Sequence, residues 1–171
     1  PIGRGGPHVF VVDLDAPEIN DMDRHHLSRV LRTRSGDPLT VSDGRGRWRP
    51  CRFGSCLEPV GEVVEVPAPE VEIAVGFSLI KGGRPELVVQ KLTELGVDRI
   101  LPLLAARSVV NWGPEKAQVH RERFLRVSRE AGMQSRRVRL PVIAALTQVG
   151  TVSTAEGVAM AEQGGGPVDL A

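Results

Sequence analysis

The sequence predicts an α/β protein in two units: a β-rich module over residues 1–67 and a parallel-sheet α/β unit over residues 71–171. Three observations carry this. The first 67 residues alternate short apolar stretches with turn residues. "VEIAVGFSLI", "KGGRPELVVQKLTEL" and "VDRILPLLAA" then read strand, helix, strand, which is a βαβ unit with parallel strands. Between the two patterns lies "PAPE", Pro67–Glu70, a stretch with the composition of a linker.

In the first unit, "HVFVVDL" is a strand. "DPLTVSDG" is a second, turning at Asp43-Gly44, and "RGRWRPCRF" runs back as its hairpin partner. "GEVVEV" is a third short strand. "NDMDRHHLSRVLRTRSGD" reads as an amphipathic helix with Leu27, Val30 and Leu31 as its apolar stripe and Gly36 as its end.

In the second unit, "VEIAVGFSLI" is apolar enough for a strand covered on both faces. The helix after it carries Val88, Leu92 and Leu95 as its stripe and Gly96 as its C-cap. A long helix over roughly 115–133 follows, with Phe124, Val127 and Ala131 on one side. "RRVRLPVIAALT" gives a further strand and "TAEGVAMAEQ" a short helix.

Parallel strands end at one sheet edge. Lys81 follows the first strand and Arg107 the second, so both belong to the carboxyl edge, where open α/β sheets bind ligands. Gly82 and Gly83 let a ligand approach the backbone. Lys91 and Glu94 share a helix face, the spacing of an ordinary surface ion pair.

Composition excludes other classes. The chain is 41% hydrophobic and 25% charged, with no apolar run near the roughly 18–20 residues of a membrane span and no secretory leader pattern. A cytoplasmic protein without membrane partners is the expectation. Cys51 and Cys56 with His25 and His26 do not match zinc-hook spacing, so no metal is expected. The net charge of +1 hides strong segregation. Residues 21–52 hold eight arginines against four aspartates, 53–80 hold five glutamates and no cation, and 116–139 hold eight cations against two glutamates. Two basic blocks on a nearly neutral chain point to a polyanion.

The stretches "KGGRPELVVQKLTELGVDRILPLLAARSVV" and "REAGMQSRRVRLP" resemble the RsmE-type ribosomal RNA methyltransferases, and "HHLSRVLRTRSGD" with "DGRGR" resembles that family's amino-terminal PUA-like domain. The resemblance spans about Phe10 to Pro141 and rests on K-x-x-x-x-E, Q-K-x-T-E-L-G-V-D, R-S-V-V and E-A-x-x-Q-S-R-R together. It implies a small PUA-like β-barrel before an α/β domain of SPOUT (trefoil-knot) type. It also implies methylation of N3 of a uridine in 16S RNA with S-adenosylmethionine, a 16S RNA or small-subunit partner, and a homodimer for the complete protein. The family's GPEGG-like loop and later LG-x-x-x-LR-x-ET-like segment do not occur here. The expectation is therefore a chain incomplete in its knot, with its donor-binding residues unknown.

Uracil N3 is a poor nucleophile while protonated. Methylation needs that proton removed and the charge left on O2 and O4 stabilised, a task for a fixed cation. Lys81 and Arg107 are the candidates. Glu94 orients one of them, or serves as base if its surroundings raise its pKa. The four histidines fall outside this cluster. RNA grip is assigned to Arg29, Arg32, Arg34, Arg45 and Arg47 in the first unit and to Arg129, Arg136 and Arg137 in the second. Trp48 either stacks on a base or packs in the core. The competing reading is a non-catalytic RNA-binding protein with a degenerate α/β unit. A small-molecule enzyme lacks support, because no G-x-G-x-x-G or P-loop pattern occurs.

Overall fold

The computed structural model describes residues 6–79, 82, 84–106, 108, 110, 112–152 and 159. Lys81 and Arg107 lie outside the described residues, as does all but one residue of the short helix expected at 154–163.

Two sheets form. In the first, β1 (His8–Phe10) runs parallel to β2 (Pro38–Ser42), which pairs with β3 (Arg47–Arg52) as the expected hairpin. β4 (Glu58–Pro59) and β5 (Val64–Glu65) both pair with β3, at opposite ends of it. Among the described residues these pairings form an open path rather than a closed ring. Val9, Leu27, Leu39, Val41, Cys51 and Leu57 make the core beneath the sheet.

The helix of this unit departs from expectation. α1 (Asp21–His25) is capped by Asn20, whose Oδ1 accepts the Asp23 amide at 2.8 Å, and then widens into a π-turn over His26–Val30. The extra residue in that turn shifts the helical phase. Leu27 is buried, whereas Val30 and Leu31 face out at 61% and 45% exposure, so the three do not share a stripe. The chain leaves the turn through Arg32 at φ 55°, before Gly36 is reached.

The second sheet is parallel throughout. β6 (Ala74–Ser78) and β8 (Val142–Ile143) flank β7 (Arg99–Leu104), and β9 (Thr147–Gln148) pairs with the far end of β7. α2 (Arg84–Leu95) crosses from β6 to β7, and α3 (Pro114–Ser135) follows β7. β6 is an edge strand, and its residues alternate between exposed and half-buried. Val75 and Phe77 pack on the helix layer while Ala74, Gly76 and Ser78 face away, which corrects the expectation of a strand covered on both faces. α2 likewise buries Pro85, Val89 and Thr93, with Leu92 half-buried, rather than Leu95, which is 75% exposed. Thr93 is tolerated there because its hydroxyl donates to the Val89 carbonyl and lies 3.2 Å from Ser128 Oγ on α3. Gly96 does cap α2: at φ 87° its amide reaches the Leu92 and Thr93 carbonyls. No helix among the described residues is long and apolar enough to cross a membrane.

The two sheets meet along a polar seam. His8 is buried in β1, with Nε2 donating to the Arg137 carbonyl at 2.9 Å and Nδ1 2.8 Å from Thr40 Oγ1. Its burial pulls its pKa down from 6.5 to about 4, so the ring stays neutral. Gly132, in α3, admits the Phe10 ring and Leu140: a Cβ there would lie 2.6 Å from Leu140 Cδ2 and 3.1 Å from Phe10.

Candidate functional site

The carboxyl edge of the second sheet is defined by register. Ser78 pairs with Leu103, the Leu79 amide donates to the Leu103 carbonyl at 3.1 Å, and Thr147 lies opposite Leu103 on the other side. The chain turns just beyond: the Ala105 amide donates to Ser108 Oγ at 3.0 Å, and the Ser108 amide returns to the Ala105 carbonyl at 2.9 Å. The segments that follow β6 and β7 thus leave from adjacent strand ends.

Glu94 is engaged elsewhere. It sits on α2, where Lys91 Nζ donates to Oε2 at 2.7 Å and Gln90 Nε2 to Oε1 at 2.8 Å. The Lys91 bond, followed by the Gln90 bond, holds its carboxyl below the usual range, opposite to what a general base requires. His120 of α3 stacks on Trp112 with centroids 3.7 Å apart, and Trp112 shares a core with Leu79. Burial lowers the His120 pKa although Glu86 opposes the shift. Glu86, in the first turn of α2, takes Arg123 Nε at 3.0 Å.

The arginines divide into two kinds. Arg29, Arg32, Arg34 and Arg45 are exposed, and their side chains have no protein partner among the described residues. Arg47 is exposed but tied to Asp43 at 2.8 Å. The three expected in the second unit have a different task. Arg129 places Nη1 and Nη2 on the two Asp23 oxygens at 2.9 and 2.5 Å and also reaches the Phe10 carbonyl at 3.0 Å. Arg136 bonds the Gly6 carbonyl and Thr40 Oγ1, and Arg137 bonds the Glu94 carbonyl at 2.9 Å. The Arg129 and Arg136 side chains thus tie the second unit to the first, while that of Arg137 bonds within the second; these bonds occupy three groups that were expected to grip RNA. Arg139, unremarked in the sequence, joins them by bonding the Arg45 and Val66 carbonyls. No sequence pattern separates a guanidinium aimed at a carbonyl from one aimed at solvent.

Of the two cysteines, Cys51 is buried, which pushes its thiol up to about 11, and Cys56 is exposed; both are free thiols. Trp48 is half-buried in β3, opposite Val64. Grooves run along the helix layer and the seam, one of them, of about 750 Å³, between α1 and α3.

A family profile described as an RNA methyltransferase domain matches residues 67–159. The chain is 34% identical over 126 residues to the ribosomal RNA small subunit methyltransferase E of Bacillus subtilis, covering 68% of this chain and 48% of that protein. The crystal structure of a probable rRNA-methyltransferase from Porphyromonas gingivalis superposes with a TM-score of 0.70 at 25% identity, covering 85% of this chain and 62% of the other. That of a ribosomal RNA small subunit methyltransferase E from Neisseria gonorrhoeae, bound to S-adenosyl methionine, gives 0.66 at 24% identity over 84% and 63%, a likeness of fold. The chain spans about half the length of the curated relatives it matches.

Proposed function

Because this chain belongs to the RsmE-type ribosomal RNA methyltransferase family, we propose that the protein methylates N3 of a uridine in small-subunit (16S) ribosomal RNA. In this reading the first unit is a PUA-like RNA-binding module, and the second carries the reaction at the carboxyl edge of its parallel sheet. S-adenosylmethionine supplies an electrophilic methyl group.

The observation that carries the proposal is the parallel register of β6 and β7, which ends the two strands side by side. Lys81 comes three residues after β6 and Arg107 three residues after β7. We assign to these two the stabilisation of the uracil anion. A cation held in place before the reaction does not have to reorganise as charge moves onto O2 and O4, an effect typically worth about 10²–10³ in rate. Glu94 is left a helix-stabilising role, given its bonds to Lys91 and Gln90.

The test is the identity of the product. Small-subunit RNA is incubated with the protein and S-adenosylmethionine, digested to nucleosides and analysed by mass spectrometry. The proposal expects 3-methyluridine. Methylation only at uracil C5, at a ribose hydroxyl or at another base would overturn it.

A further inference from the structure

The two basic blocks of the sequence, residues 21–52 and 116–139, are distant in the chain but meet in the fold. The first supplies α1, its π-turn and the loop through Arg34; the second is α3 and the segment after it. Between them lies the groove of about 750 Å³, whose walls include Met22 and His26 from α1 and its π-turn, and Arg126, Val127 and Gln134 from α3. A shallower groove of about 340 Å³ continues it past His26 and Gln134 toward Leu31. The Arg129–Asp23 pair fixes the spacing of the walls, with Asp23 only 6% exposed.

We propose that this groove binds a single strand of the RNA substrate, carrying it from the Arg29–Arg34 loop across α3. The inference rests on the reading of the protein as a uridine-N3 methyltransferase and adds where the strand runs.

The reaction itself requires an unpaired strand. N3 lies on the Watson–Crick edge of uracil, and in a base pair its proton is already donated to the opposing base. A protein that works at N3 must therefore hold its target outside a duplex, where single strands are gripped by positive grooves with soft or flat side chains for the bases. The lining carries Arg123, Arg126 and Arg129 against Asp23 and Glu130, with Arg123 tied to Glu86 and Arg129 to Asp23, so Arg126 is the cation left for a phosphate. Arg126 is exposed on α3 with no side-chain partner among the described residues. Met22 is 75% exposed beside it. The acidic segment 53–80 contributes no residue to either groove.

The test combines Arg126→Glu with crosslinking on the whole protein. The probe is a single-stranded RNA fragment of the small subunit containing unpaired uridines, titrated by fluorescence anisotropy at several salt concentrations. Arg126→Glu should weaken binding about tenfold or more at low salt and flatten the log–log salt dependence by about 0.7 or more, with an unchanged melting temperature. A photocrosslinking amino acid in place of Met22 should capture the RNA. The same group in place of Leu95, equally exposed at the end of α2, should not. Wild-type affinity in Arg126→Glu, capture from position 95 and not 22, or capture of a second copy of the chain at position 22 would each overturn the groove assignment. The underlying reading fails separately: no salt-dependent RNA binding by the unmodified protein would remove the RNA partner itself.

Discussion

Removing the Arg129 guanidinium should cost stability first and RNA affinity only as a consequence. Arg129 makes a two-pronged bond to Asp23, whose side chain is 9% exposed, and a third bond to the Phe10 carbonyl. Arg129→Ala would leave that carboxylate buried without its counter-ion. Breaking a fully buried pair in this way costs about 3–5 kcal/mol. Here the guanidinium is 30% exposed, and water entering its place relieves part of the penalty, so about 2–3 kcal/mol is the expected loss. At the usual conversion for a chain of this size that is a fall in melting temperature of roughly 5–10 °C. Asp23→Asn with Arg129→Ala should recover part of the loss, because no charge is then stranded, and the cycle of the parent, the two single variants and the double should show a coupling of about 1 kcal/mol or more. Urea denaturation of the four measures it. If Arg129→Ala melts with the parent but binds RNA tenfold more weakly, the residue is an RNA contact and the clamp reading is wrong.

The seam should also weaken in acid through His8. Its pKa is about 4 when folded and 6.5 when free, so between those values the unfolded chain binds more protons and stability rises with pH. The contribution is complete above about pH 6.5 and lost as pH falls to 4, at most about 3 kcal/mol. His8→Phe should remove that part of the slope in urea titrations at pH 4.5 and 7; an unchanged slope would contradict the assignment. Replacing Arg29, Arg32 and Arg34 together by Glu should lower the salt slope of RNA binding by about 2, at roughly 0.7 per lost phosphate contact; an unchanged slope would take the loop off the RNA. Gly132→Val should destabilise by about 1–3 kcal/mol, because its branched Cβ meets Leu140 and Phe10; a neutral result by calorimetry would mean that the seam is looser than described.

What the sequence made legible were features set by local chemistry. The βαβ unit was readable because two apolar runs flank a helix that closes on Gly96, and parallel pairing follows from the crossover length. α3 was readable from Phe124 and Ala131 at helical spacing. The errors arose where a tertiary partner decides. A π-turn inserted one residue of phase and turned Val30 and Leu31 outward. β6 is mostly apolar, but among the described residues only its Val75 and Phe77 face the helix layer. The candidate site divided in the same way. Arg29, Arg32, Arg34 and Arg45 follow the sequence's polar pattern to the surface, but Arg129, Arg136 and Arg137 find their partners 43 to 130 residues away, and no local pattern encodes that.

The most direct measurement is the single-turnover rate of methyl transfer by Arg107→Ala at saturating RNA and S-adenosylmethionine. Saturation removes any contribution from binding, so only a role in the transition state can survive it. The expected rate is lower about 10²-fold or more. Arg107→Lys, which keeps the charge and loses the planar fork, should recover part of it, and Arg126→Ala, whose defect saturates away, should run near normally. A near-normal rate for Arg107→Ala under the same conditions would take Arg107 out of the transition state and leave Lys81 alone to stabilise the anion.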